Sequence, residues 1–518
     1  MSRRMVLAAA IASAALVASA VPAAAQPHSA TKGTTDSSAK LRRKVTVAGI
    51  GEHLIALQLI AKIHDDTRSS GTPGFGASAR YVARKARAAG YDVSVQDFEF
   101  GYFEETAPPV LIRTAPPPPV TYTSGIDADF STMTYSGSGT VTAAIQAVDT
   151  TATATDTSTS GCEAADFAGF VAGRIALMQR GTCSFLIKAT NAQAAGAVGA
   201  IVMNRGTPDF ETVVNGTLGE PGVTIPVVGV SFAVGQALYS TDASTAAQLA
   251  VTALSEIRTT QNVIAESKGG DPNNVVMVGA HLDSVTEGPG INDNGSGSAT
   301  ILEVAEQMAK MKTTNKLRFA WWGAEEFNLL GSQFYVDSLL DENGEPTPEL
   351  ERIALYLNFD MVASPNFGRF VYDGDGPDEA PPGSGAIEQV FNSYFDSQSL
   401  AYLPTPFDGR SDYGPFIAVD IPAGGLFTGA EEIKPPEEVP LFGGTAGVAY
   451  DKCYHQACDT LANINWRGLD QMSDAVAHSV WTFAQSTELV DAGAAGAAAA
   501  RSAASATGAD QKGQKASS

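Results

Sequence analysis

Basic residues are scarce in this chain, and that scarcity removes a class of function. Its 518 residues carry 33 Lys and Arg against 56 Asp and Glu, a formal charge of −23. A field of that sign repels phosphate backbones and anionic headgroups, which argues against nucleic acid and membrane surfaces as partners. Beyond residue 25 no stretch approaches the roughly 18 uninterrupted apolar residues of a membrane span, so none is expected. At 44% hydrophobic and 17% charged the chain is too apolar to be disordered throughout. Three catalytic signatures are also missing: His-Glu-x-x-His, Gly-x-Gly-x-x-Gly and the Gly-x-Ser-x-Gly elbow. The nearest approach to the elbow, Gly409-Arg410-Ser411-Asp412-Tyr413-Gly414, has tyrosine where glycine is required.

What is present begins with a leader. Arg3 and Arg4 precede an Ala-rich apolar run that ends at Ala23-Ala24-Ala25, the pattern of a secretory signal cut near Gln26. The two arginines fit either a general or a twin-arginine export route. Their removal would take the charge from −23 to −25. Secretion is therefore expected, and four cysteines, an even count, then suggest two disulfides. Three connectivities are possible; sequence proximity favours Cys162 with Cys183 and Cys453 with Cys458.

Patterning divides the chain into a signal peptide (1–25), a Ser/Thr/Lys-rich flexible leader or propeptide (26–44), a first part of the main domain (45–130), a Thr/Ala/Val/Gly-rich β insert (131–254), the second part of the main domain (255–490) and a low-complexity tail (491–518). Two helices are expected over 53–90, broken at Gly71-Thr72-Pro73-Gly74, and a strand over 91–100. From 261 onward strands at 275–278, 317–322 and 354–359 alternate with helices at 298–311 and 330–340. That alternation is the βαβ signal of an α/β fold with a mostly parallel sheet between helices.

Sheets of that kind place their sites outside the carboxyl ends of the strands. The first predicted strand runs into His281-Leu282-Asp283, the second into Glu325-Glu326 and the third into Asp360. Asn292-Asp293-Asn294-Gly295 precedes a helix, and Tyr454-His455 lies between Cys453 and Cys458. Singly, each has an ordinary explanation as a core histidine, a solvated carboxylate or a helix cap. Together they put carboxylates at the exits of three successive strands and draw two of the chain's only six histidines into the same set of contexts.

The segments VGAHLDSV, GINDNGSGSA, AWWGAEEFNLLGS, LNFDMV and GTAGVAYDKCYHQACD resemble, in order and spacing, the secreted co-catalytic zinc aminopeptidases, the family of bacterial leucine-type aminopeptidases and aminopeptidase Y. The insert, with GRIALMQRGTCSF, AQAAGAVGAIVMN and IPVVGVS, resembles a protease-associated (PA) domain. The resemblance implies two Zn²⁺ per chain, one held by His281 and Asp360, the other by Glu326 and His455, with Asp293 shared. It implies Asp283 as the orienter of His281, Glu325 as general base and Tyr454 as a donor to the developing oxyanion. The backbone near Arg410 would hold the substrate amino terminus, Phe427 would wall the first side-chain pocket, and a second Asp360 oxygen would face the amine. Substrates would be N-termini of peptides or proteins, large and apolar at the first residue, and a monomer is expected. A single-zinc glutaminyl cyclase on the same scaffold, a carboxypeptidase with Arg410 as clamp, and an inactive binding protein are the rivals; the complete ligand set disfavours the last.

Overall fold

A computed structural model describes residues 37–125, 128–241, 244–376 and 380–495. The expected signal peptide, residues 26–36 of the leader and residues 496–518 of the tail lie outside the described residues. The end of the expected leader, however, belongs to the fold. Ala39–Arg42 is helical, Leu41 and Val45 are buried, and Arg42 reaches Asp474 of the long C-terminal helix at 3.5 Å. Two apolar anchors among polar neighbours were too few to show as a pattern.

Four parallel strands form the centre of the main sheet, in the order Ala423–Phe427, Ile353–Phe359, Asp271–His281, Asn315–Trp322. Their interiors are buried on both faces, which is why they read as near-continuous apolar runs. Helices Val47–Lys62, Pro73–Ala89, Gly295–Met308, Ser384–Ser397 and Trp466–Gln485 contribute the apolar residues that cover one face. The other face is filled by Trp322, Tyr335, Tyr356 and Phe416, with Leu330–Asp337 and Tyr413–Ile417 above them. Four of these helix starts have a local cause: Thr46, Thr72, Asn294 and Asn465 accept a backbone N–H of their first turn.

The strand expected to end at 100 continues from Asp92 to Ala115 and pairs antiparallel with Ala246–Glu266 along its whole length. Its prolines at 108 and 109 are accommodated because the register shifts there, between Ala107 and Val110, so no ladder hydrogen bond is asked of them. This ribbon carries the insert. The insert is not merely β-rich: Gly139–Ala147, Ile175–Gln179, Gly199–Met203 and Val227–Val230 pair in parallel, with helices Phe185–Ala194 and Phe232–Leu238 between them. Phe130–Thr132 closes the edge antiparallel. Both cysteine pairs expected from proximity are disulfides, Cys162–Cys183 in the insert and Cys453–Cys458 beside the main sheet.

Candidate metal centre

Parallel strands point the same way, so their exits share one edge of the sheet. His281 ends the central strand and stands in register with Trp322, three residues before Glu325; Asp360 directly follows Phe359 on the other side. Asp293 comes from the loop before helix Gly295–Met308, and His455 from the loop closed by Cys453–Cys458. All five expected ligands converge.

Asp293 organises the geometry. Its Oδ1 lies 3.2 Å from His281 Nε2 and its Oδ2 lies 3.2 Å from His455 Nε2. His281 Nε2 is also 3.3 Å from Asp360 Oδ1, and His455 Nε2 is 3.1 Å from Glu326 Oε2. The two groups of donors, His281–Asp293–Asp360 and Asp293–Glu326–His455, each gather within 4.8 Å and share one carboxylate. Glu325 Oε2 sits 3.8 Å from His281 Nε2; it belongs to neither of these trios, although it gathers with His281 and Glu326 within 4.8 Å as well. Asp283 Oδ1 lies 3.6 Å from His281 Nδ1, behind the ring, and accepts the Glu325 backbone N–H.

Electrostatics at the cluster reflect burial first. Burial pushes Glu326 up to about 7, with Asp293 adding and His455 opposing. It raises Glu325 well above the carboxylate range; His281 pulls it back, and Asp360, Asp412 and Glu326 push again. Burial disfavours a charged His455, yet its hydrogen bonds to Asp293 and Glu326 outweigh that and lift it to about 10. Burial also raises Tyr454, so its hydroxyl keeps its proton. Nitrogen and carboxylate oxygen facing inward, with no Lys or Arg bonded to any of the five ligands among the described residues, is a donor set for divalent cations of the zinc kind. Glu326 Oε1, buried with no hydrogen-bond partner, fits that reading.

Above the cluster lies a cavity of about 360 Å³ whose walls include Glu325, Met361, Tyr372, Asp408, Phe427, Glu432 and Tyr454. Phe427 is on this wall, as expected. Arg410 is there too, but its guanidinium is engaged by Glu431 at 3.0 Å and Glu432 at 3.4 Å and donates to the Tyr454 hydroxyl at 3.2 Å. Asp360 also lines the cavity, and its second oxygen, Oδ2, accepts a 2.6 Å hydrogen bond from Ser411, which Asn358 in turn supports.

Comparison with known proteins agrees with the geometry. Residues 262–480 match the model of peptidase family M28, and residues 141–238 that of the PA domain. An aminopeptidase of Pseudomonas aeruginosa is 48% identical over 456 residues, covering 87% of this chain and 83% of that protein. The chain belongs to peptidase family M28. This M28 peptidase is also 43% identical to leucine aminopeptidase 2 of Trichophyton tonsurans, over 87% of the chain and 86% of that protein. Among solved structures it is similar to an aminopeptidase from Aneurinibacillus sp. strain AM-1 (TM-score 0.60, 28% identity, 86% of this chain and 95% of that one) and to a zinc aminopeptidase from Bacillus subtilis (TM-score 0.55, 26% identity, 85% and 96%).

Several residues that hold this M28 site escaped the sequence reading. Asp459 accepts the backbone N–H groups of Asn292 (2.8 Å) and Asp293 (3.0 Å), fixing the loop that presents the shared carboxylate. Asp451 accepts from Asn292 and Asn463, and Asn463 also donates to Asp459. Arg68, fully buried, donates to the carbonyls of Leu282, Pro289 and Gly290 and so ties the His281 exit to the Asp293 loop. The signal for Arg68 was one arginine beside Asp65 and Asp66 in the break between two helices, a weak one.

Proposed function

We propose that this enzyme, a zinc aminopeptidase, is exported and removes large apolar N-terminal residues such as leucine from peptides at a pair of zinc ions that share Asp293. The observation that carries the reading is the split of Asp293, one oxygen toward His281 and Asp360, the other toward His455 and Glu326. When bound, the ions supply Lewis acidity to a peptide carbonyl and lower the pKa of a water.

The protein's own groups supply the rest. Glu325, spare of ligand duty and beside both trios, takes the proton of the attacking water and passes it to the departing amine. Tyr454, protonated and held by Arg410, donates its hydroxyl to the oxyanion. Asp283 holds His281 in the orientation that turns Nε2 inward. Asp408, together with Glu431 and Glu432 outnumbering Arg410, leaves the cavity mouth net acidic, which attracts an ammonium and repels a carboxylate, while Met361, Tyr372 and Phe427 receive an apolar side chain. Arg410 cannot serve as a carboxylate clamp while Glu431 and Glu432 neutralise it, which disfavours a carboxypeptidase.

The test compares a leucine-initiated peptide with its N-acetylated and C-amidated forms. Acetylation should abolish cleavage and amidation should leave it largely intact. The reverse pattern would overturn the assignment of direction.

A further inference from the structure

We propose a third cation site, separate from the catalytic pair, formed by His53, Glu303 and Glu306 and suited to a zinc-class divalent ion. His53 lies on helix Val47–Lys62; the two glutamates, one turn apart, lie on helix Gly295–Met308, which packs against it. Their three donor atoms gather within 4.8 Å of one another.

Each side chain is held on its far side and left free on its near side. Tyr81 hydroxyl engages His53 Nδ1 at 2.7 Å, which turns Nε2 toward the glutamates. Gln307 donates to Glu303 Oε1 at 3.1 Å, and Lys85 pairs with Glu306 Oε1 at 2.8 Å. The remaining oxygens, Glu303 Oε2 and Glu306 Oε2, face His53 Nε2 at 3.6 and 3.7 Å. His53 is 2% exposed, and its Nε2 makes no hydrogen bond. A direct hydrogen bond from the ring to a carboxylate would lie at about 2.7–2.9 Å. Spacings of 3.6 and 3.7 Å instead approach the edge of a tetrahedron around a cation whose ligands lie at about 2.0–2.1 Å, roughly 3.4 Å.

Gly49 supplies the room. A Cβ there would stand 2.5 Å from Glu303 Oε1, so only glycine lets that carboxylate lie against the facing helix. Glu303 follows Gly295 by eight residues, about 12 Å along the helix whose start adjoins Asp293, so this site is distinct from the catalytic pair. A cation there would clip the two helices together and steady the one that follows the shared ligand.

Equilibrium dialysis of chelator-stripped full-length enzyme against zinc alone, followed by metal analysis, tests the proposal as a difference between proteins. His53→Ala should hold one zinc equivalent fewer than wild type, whatever the count at the catalytic centre. Glu303→Gln, which preserves side-chain volume, should show the same deficit and serves if His53→Ala does not fold. Zinc should raise the melting temperature of the wild type by more than that of either variant. Unchanged zinc content in a folded variant would make the trio an ion pair only and overturn the site.

Discussion

Asp459 is the residue whose removal most directly tests how the shared ligand is held. Its carboxylate accepts the backbone N–H of Asn292 and of Asp293 and the side-chain amide of Asn463, all three donors being buried. In Asp459→Ala the two backbone donors lose their acceptor, while Asn463 keeps Asp451, and an unsatisfied buried donor costs about 1–3 kcal/mol. The sum over the two, about 2–6 kcal/mol, falls toward its lower end, because the burial that pushes Asp459 up to about 7 already penalises its charged form. Asp459→Asn is milder. Whichever oxygen becomes an amide then faces a donor, costing about 1–3 kcal/mol. Because the loop carries Asp293, both variants should also bind zinc about 10–100-fold more weakly, the usual effect of losing an outer support. Urea unfolding in chelator gives the stability term, and zinc titration of stripped protein gives the affinity. An Asp459→Asn enzyme with unchanged unfolding midpoint and unchanged zinc affinity would refute the role assigned to this carboxylate.

Glu325→Gln should retain zinc and lose about 10²–10⁴ in turnover on a leucine chromogenic substrate, whereas Glu326→Gln should lose zinc as well; metal analysis beside the rate assay separates them. Tyr454→Phe, which deletes only the hydroxyl, should lower kcat by about 10²–10³ with zinc content unchanged, and a normal kcat would place the oxyanion donor elsewhere. Replacing Cys453 and Cys458 by serine opens the short loop around His455; chain entropy puts the stability loss at about 2 kcal/mol, measured by thermal unfolding, and zinc binding should weaken with it.

The ligands were legible in the sequence because the parallel sheet writes them at strand exits. His281, Glu326 and Asp360 each follow an apolar run that could only be a buried strand, and His455 sits inside a visible cysteine pair. The supports were not legible, because what identifies Asp451, Asp459 and Arg68 is contact with segments some 160 to 220 residues away. In sequence they look like ordinary loop residues. The strand Asp92–Ala115 runs past its expected end at 100 and through Pro108 and Pro109, because a register shift between Ala107 and Val110 admits them, a feature of pairing that local alternation does not carry. Ser411 is a third case: the sequence points to the backbone of its stretch, and the structure adds a side-chain hydrogen bond to Asp360 Oδ2 that no local pattern signals.

Two cations sharing Asp293 is the claim on which the chemistry rests, and crystals of the zinc-loaded enzyme measured at the zinc absorption edge address it directly. Two anomalous peaks are expected about 3.5–4 Å apart, one against His281 and Asp360, the other against Glu326 and His455, with Asp293 between them. A single peak at this centre in fully active enzyme would contradict it.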